Sequence, residues 1–173
     1  MKTKIKVKVL VPGCEPVINA NGDWIDLKAA CNIELRAPQA GVQYQQNNLK
    51  YRDVNIPVIY VPLGVAMQLP KGYEAIVASR SSGPKKLGIF IPSGKGIIDE
   101  SYCGNTDEWC YVASPLTNVN FKQGDRICQF RIQLNQKATF WQKLKWLFSS
   151  GVELEFVDNL SNNARSGLGS TGI

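Results

Sequence analysis

Histidine is absent from all 173 residues. That absence removes the imidazole base of nucleophilic triads and the nitrogen ligand of most zinc sites. A general base must therefore come from the Asp and Glu side chains. Cysteine adds little: Cys14, Cys31, Cys103, Cys110 and Cys128 are odd in number and none forms a C-x-x-C pair, so free buried thiols are expected. Long apolar runs are also missing, none approaching the roughly 18 to 20 residues of a membrane span. The lysines between Met1 and Leu10 alternate with apolar residues instead of preceding an apolar block, which is not a secretory signal. A soluble, cytoplasmic protein with no membrane partner is expected.

Positive charge is in excess, with 20 Lys and Arg against 14 Asp and Glu. The net +6 suits a polyanionic ligand such as a nucleoside triphosphate or a nucleic acid. From Thr3 to Val11 the odd positions are mostly apolar, while Lys2, Lys4, Lys6 and Lys8 occupy the even ones. This period of two predicts a strand, placed near a sheet edge where lysines discourage pairing. The stripe lacks the interleaved aromatics of a nucleic-acid surface, which argues against that partner. Further β-rich runs lie at Ile56–Val61, Glu74–Ala78, Leu87–Ile91, Glu108–Ala113, Arg126–Leu134 and Val152–Val157, separated by turn-formers. Many short strands in one domain predict an all-β sandwich, barrel or jelly roll.

Two segments break the rhythm. Residues 39–55 are amide-rich and read as a long loop or extended hairpin. Residues 140–148 read as the one helix: Phe140, Trp141, Leu144, Leu147 and Phe148 fall within about 120° of arc, with Trp146 on the polar side. That face either packs on the flank of the domain or presents itself to a protein partner or membrane.

Five segments could carry chemistry. Asp26 sits between apolar neighbours, where a carboxylate needs a partner or a cation. Arg80-Ser81-Ser82-Gly83 sets a guanidinium beside two hydroxyls, a combination that can fork onto phosphate oxygens. Gly96-Ile97-Ile98-Asp99 is an apolar strand ending in an acid, with Tyr102 three residues on. An acid there could deprotonate a water, and the ring could stack on a sugar. Gly124 to Gln129 turns into a strand, with Gln129 expected on the face of Ile127 and with Asp125 and Arg126 read as structural. Arg165 to Gly172 is glycine-rich backbone able to wrap an oligophosphate.

In this order the five segments resemble the five motifs of the trimeric dUTPase family, from Lys2 to Gly172. Gly88 follows Arg80 by eight residues, Gly96 follows Gly88 by eight, and Lys86 lies six after Arg80; the family has the same spacing. The resemblance implies a jelly-roll or distorted β-barrel subunit of a homotrimer. It divides the chain into a β domain at 1–160, with insertions at about 39–55 and 139–149 that touch no motif, and a closing segment at 161–173. Asp99 would activate the water that attacks the α-phosphorus of dUTP, and Tyr102 would stack on the deoxyribose. The hairpin of Ser93, Gly96, Ile97 and Ile98 would read uracil. Arg80, Ser81, Ser82 and Gln129 would hold phosphates, Asp26 would help hold Mg2+ through water, and Arg165, Leu168, Gly169, Ser170 and Thr171 would close a neighbour's site.

The sequence departs from the family in places. Trp24 stands where motif one has a small residue, and Ser93 where some members have asparagine. Leu168 replaces the phenylalanine that caps uracil, losing a stacking contribution of order 1 kcal/mol. Arg165 also lies closer to the Gly-Ser-Thr-Gly terminus than in the longest form of the motif. Two other readings stand beside the enzyme. One is a regulatory module of the same scaffold that binds a protein through Phe140–Phe148. The other is a dCTP deaminase-like enzyme, against which the order Asp99 then Tyr102 argues.

Overall fold

The computed structural model describes residues 2–20 and 22–160. Among them the chain forms β1 (Thr3–Val9), β2 (Val17–Ile18), β3 (Ile25–Lys28), β4 (Ile33–Leu35), β5 (Gln39–Gln46), β6 (Leu49–Asn55), β7 (Ile59–Pro62) and β8 (Val65–Gln68). There follow β9 (Tyr73–Ser79), β10 (Ile89–Phe90), β11 (Gly96–Asp99), β12 (Cys110–Pro115), β13 (Val119–Phe121), β14 (Arg126–Leu134), the helix α1 (Phe140–Leu147) and β15 (Val152–Phe156). The all-β expectation with one short helix holds. The sheets are open and none closes on itself: β15-β1-β8, β10-β12-β7, β11-β9-β14-β3-β2, β4-β13 and β5-β6.

Alternation builds the core. In β1 the residues Thr3, Ile5 and Val7 are buried while Lys4 and Lys6 face water, the two-residue period seen in the sequence. The edge placement was wrong, however. β1 runs between β15, which it pairs in parallel, and β8, which it pairs antiparallel. Its lysines therefore line the solvent face of a central strand. Inward residues of the three larger sheets meet in one cluster around Trp109 and Phe130, fully buried and packed edge to face with ring centroids 5.2 Å apart.

The amide-rich segment is an extended hairpin of β5 and β6, with Tyr44 stacked on Tyr51 across the strands. Helix α1 forms where expected, opened by a capping box in which Thr139 and Gln142 exchange bonds. Of the two orientations expected for its apolar face, packing on the flank of the domain is not the one adopted. Phe140, Trp141, Leu147 and Phe148 are all about 70% exposed and Leu144 is half-buried, whereas Trp146, 37% exposed, meets the Tyr73 ring edge-on at 5.5 Å. Helical periodicity marks an apolar arc but not which side meets the domain. Here the polar Gln142 has bonds to make on the domain side, and Trp146, one turn later, follows it.

One glycine fixes the loop after β9. Gly88 ends the single helical turn Gly83–Leu87 at φ 63°, and a Cβ there would stand 2.5 Å from Thr117 Oγ1. Gly88→Ala is expected to cost about 1–3 kcal/mol from the left-handed backbone and the clash. At about 2–4 °C per kcal/mol for a chain of this size, a thermal melt reads the loss directly. An unchanged melting temperature would contradict this packing.

Candidate active site

Asp26 is the centre of the first cluster. It lies on β3, is 2% exposed, and stands opposite Gln129 of β14. Its Oδ1 meets Arg80 Nε at 3.1 Å, and its Oδ2 meets Arg126 Nη1 at 3.2 Å and Asn19 Nδ2 at 3.1 Å. A carboxylate removed from water needs such partners. Arg80 follows the last residue of β9 and also donates from Nη1 to the Arg126 carbonyl at 3.3 Å.

The meeting of Arg126 with Asp26 depends on a β-bulge. The ladder between β14 and β3 slips by one residue between Arg126 and Cys128, and a one-residue slip changes which face a side chain takes. Ile127 and Cys128 are consequently both buried, and Arg126 returns to the outer face that carries Gln129. The expectation that Gln129 shares a face with Ile127 fails for this reason. Reading Asp125 and Arg126 as structural holds: Asp125 accepts from the Lys122 N–H at 2.9 Å, a turn contact, and Arg126 is an ion-pair partner. Gln129 is half-buried and donates to the Ser79 carbonyl at 3.4 Å. Ser81 is exposed and Ser82 half-buried at the start of the helical turn, whose Lys86 N–H bonds the Ser82 carbonyl at 2.7 Å. Arg80, Ser81, Ser82 and Gln129 are thus grouped at the Ser79 end of β9. Trp24 is half-buried beneath the Arg131 guanidinium, 5.1 Å from its ring centroid, and leaves the pairing of Asp26 intact.

Asp99 belongs to a second cluster. It ends β11 opposite Glu74, and its Oδ1 accepts the Ser101 N–H at 2.9 Å. The Tyr102 N–H bonds the Asp99 carbonyl at 3.0 Å, closing a turn that brings the ring back against the core. Tyr102 donates its hydroxyl to the Glu108 carbonyl at 3.1 Å. Burial, reinforced by Asp107, pushes the phenol above its ordinary value, so it remains a donor at neutral pH. Ser93 is exposed, its hydroxyl bonded to the Lys95 carbonyl at 3.0 Å; Gly96 pairs with Val77, Ile97 is exposed and Ile98 half-buried. Arg165, Leu168, Gly169, Ser170 and Thr171 lie outside the described residues.

The two clusters do not meet within one chain. Asp99 stands opposite Glu74 while Arg80 follows Ser79 at the other end of the same strand. Six residues of extended chain separate those positions, about 20 Å.

The described partners of Asp26 are two arginines and Asn19. Both its oxygens are engaged by guanidinium groups, so the expected role in holding Mg2+ has no support in its contacts. Among the described residues no group of three or more Cys, Asp or Glu side chains could hold an ion. All five cysteines are free, as expected, but only Cys14, Cys103 and Cys128 are buried, with Cys110 half-buried and Cys31 exposed; no described helix is long and apolar enough to cross a membrane.

Sequence reasoning missed Glu100, Asn135, Gly72 and Gln142, which join the Asp99 turn to α1. It had placed the 139–149 insertion away from every motif. Gln142 Nε2 donates to the Lys71 carbonyl at 2.8 Å, and Glu100 Oε2 accepts the N–H of the next residue, Gly72. The only signal was Pro70-Lys71-Gly72, a turn before a strand.

A family model described as dUTPase matches residues 49–145. The SPbeta prophage-derived deoxyuridine 5'-triphosphate nucleotidohydrolase YosS of Bacillus subtilis is 40% identical over 151 residues, covering 87% of this chain and 84% of that protein. The deoxyuridine 5'-triphosphate nucleotidohydrolase of Thermobifida fusca is 35% identical over 65% of this chain and 56% of its own length. In fold, the chain is similar to the crystal structure of the Streptococcus mutans dUTPase, with a TM-score of 0.59 at 22% identity over 73% of this chain and 90% of that one. A mutant dUTPase from phage phi11 of S. aureus, whose structure is described as revealing coordination of a structural Mg(II) ion, gives a TM-score of 0.59 at 16% identity, covering 79% and 94%. With more than half its length matched by the family model, and a prophage relative aligned along most of both chains, the chain belongs to the dUTPase family.

Proposed function

We propose that this chain hydrolyses dUTP to dUMP and pyrophosphate. The observation that carries the reading is the pair Asp99 and Tyr102, an acid at a strand end with an anchored ring one turn on. Asp99 takes a proton from water as its oxygen bonds to the α-phosphorus, and the bond from that phosphorus to the bridging oxygen breaks to release pyrophosphate. Tyr102 packs on the deoxyribose and leaves no room for a 2′-hydroxyl. The Ser93–Ile98 hairpin reads uracil through main-chain groups, leaving cytosine's mismatched donors unpaired. The substrate is the magnesium complex, in which the ion offsets phosphate charge.

Arg80, Ser81, Ser82 and Gln129 hold the phosphates. Because they stand about 20 Å from Asp99 along β9, a working site takes Asp99 from one copy and Arg80 from another, in a homotrimer. The 161–173 segment, with Arg165, Leu168, Gly169, Ser170 and Thr171, closes the site of a neighbour. The exposed Phe140, Trp141, Leu147 and Phe148 favour a second reading, in which the same scaffold also offers α1 to a protein partner.

Pyrophosphate release with dUTP, dCTP, dTTP and UTP in parallel tests the first reading. Turnover of dUTP alone is expected. Ammonia from dCTP would indicate the deaminase chemistry instead, and sedimentation as a monomer would overturn the shared site.

A further inference from the structure

Glu100 has no part in the chemistry proposed above, yet its side chain reaches away from Asp99 into the body of the domain. Its Oε2 accepts the Gly72 N–H and lies 3.4 Å from Asn135 Nδ2. Asn135 in turn bonds the Gly72 carbonyl through its own N–H at 2.9 Å. Gly72 is thereby gripped from two sides. A third side is closed by α1: a Cβ on Gly72, which has φ +86°, would fall 2.5 Å from the Gln142 carboxamide. Gln142 spends both amide atoms here. Its Oε1 accepts the Thr139 N–H at 2.7 Å, starting the helix, and its Nε2 donates to the Lys71 carbonyl at 2.8 Å.

We infer that Glu100 is a positioning residue and that α1 is the buttress behind it, together holding the Asp99 turn at the angle from which its carboxylate meets water. The inference rests on Asp99 being the base. The turn is short, and the contacts that pin it include the Asp99 Oδ1 to Ser101 bond, the Tyr102 N–H to the Asp99 carbonyl, the Tyr102 anchor on Glu108, and the Glu100 grip on Gly72. Releasing the last lets the strand end swing without disturbing the sugar ring's anchor. Misplacement of a reacting group by about 1 Å is enough to slow a reaction 10²-fold. Substrate affinity changes little, because the phosphate cluster comes from a neighbouring copy while Tyr102 and the Ser93–Ile98 hairpin keep their own anchors on Glu108 and β9.

The test compares Glu100→Ala, Glu100→Gln, Gln142→Ala and the Glu100→Ala/Gln142→Ala double variant in the full-length protein, with kcat expressed per folded site. Glu100→Ala is expected to lower kcat about tenfold or more while KM for dUTP stays within about twofold. Glu100→Gln keeps an acceptor oxygen for Gly72 and recovers most of the rate. Gln142→Ala reproduces a smaller loss of kcat at unchanged KM, and it carries the test if Glu100→Ala fails to fold. The double variant loses no more than Glu100→Ala alone, since both act through Gly72. Unchanged kcat in Glu100→Ala and Gln142→Ala, or losses that multiply, overturns the positioning role. Asp99→Asn is run alongside: if it is inactive while the Glu100 and Gln142 variants keep the parent rate, only this inference falls, whereas Asp99→Asn turning over at the parent rate overturns the assignment of the base as well.

Discussion

Asp99→Asn is expected to slow dUTP hydrolysis by about 10²- to 10⁴-fold, the range a positioned general base contributes, with the fold and the affinity for nucleotide retained. The physical case is that asparagine keeps an oxygen able to accept the Ser101 N–H that Asp99 Oδ1 now holds at 2.9 Å. The turn therefore survives while the proton acceptor is lost. Asp99 is exposed at the strand end, so no cavity opens and the melting temperature should stay within a degree or two of the parent. With no histidine anywhere in the chain, no imidazole can take over the proton. Single-turnover pyrophosphate release with saturating dUTP and magnesium is the measurement, beside a binding titration with a non-hydrolysable dUTP analogue. A variant that binds the analogue and releases no pyrophosphate fits the role; near-parent turnover would move the base elsewhere.

Much of this was legible because it is local. The turn after Ile98 and the position of Asp99 follow from an apolar run meeting polar residues, and α1 follows from the helical spacing of Phe140, Trp141, Leu144, Leu147 and Phe148. What failed or stayed open was set by partners distant in the chain. β1 looks like an edge strand until β15, more than 140 residues later, pairs beside it. The apolar arc of α1 points outward because Gln142 finds the Lys71 carbonyl, a contact across 71 residues that no periodicity announces. The bulge before Cys128 leaves no mark in residue type, yet it alone turns Arg126 toward Asp26. In the same way Asp26, read from its apolar neighbours, could equally have waited for a cation in solution or for arginines; the folded sheet supplies the arginines.

That distinction makes Asp26→Ala the second large effect. The Asp26 side chain is 3% exposed, while its partners Arg80 and Arg126 are 28% and 45% exposed. Removing one member of a fully buried ion pair costs about 3–5 kcal/mol, because the remaining charge is stranded. Here both guanidinium groups can recover part of their hydration, which reduces the expected loss to about 2–3 kcal/mol. For a chain of this size that is a fall of about 5–10 °C in melting temperature. Asp26→Asn keeps an oxygen for Arg80 Nε but no charge, and should fall between the parent and the alanine variant. Arg80, no longer held, would present its guanidinium to phosphate in many orientations, so KM for dUTP should rise more than kcat falls. A metal ligand would behave otherwise: its removal would raise the magnesium concentration needed for half-maximal rate and leave the melting temperature close to the parent. The two roles therefore separate in one pair of experiments, a thermal melt without nucleotide and a magnesium titration of turnover. A large loss of stability with an unchanged magnesium requirement assigns Asp26 to the arginines, and the reverse pattern would return it to the ion.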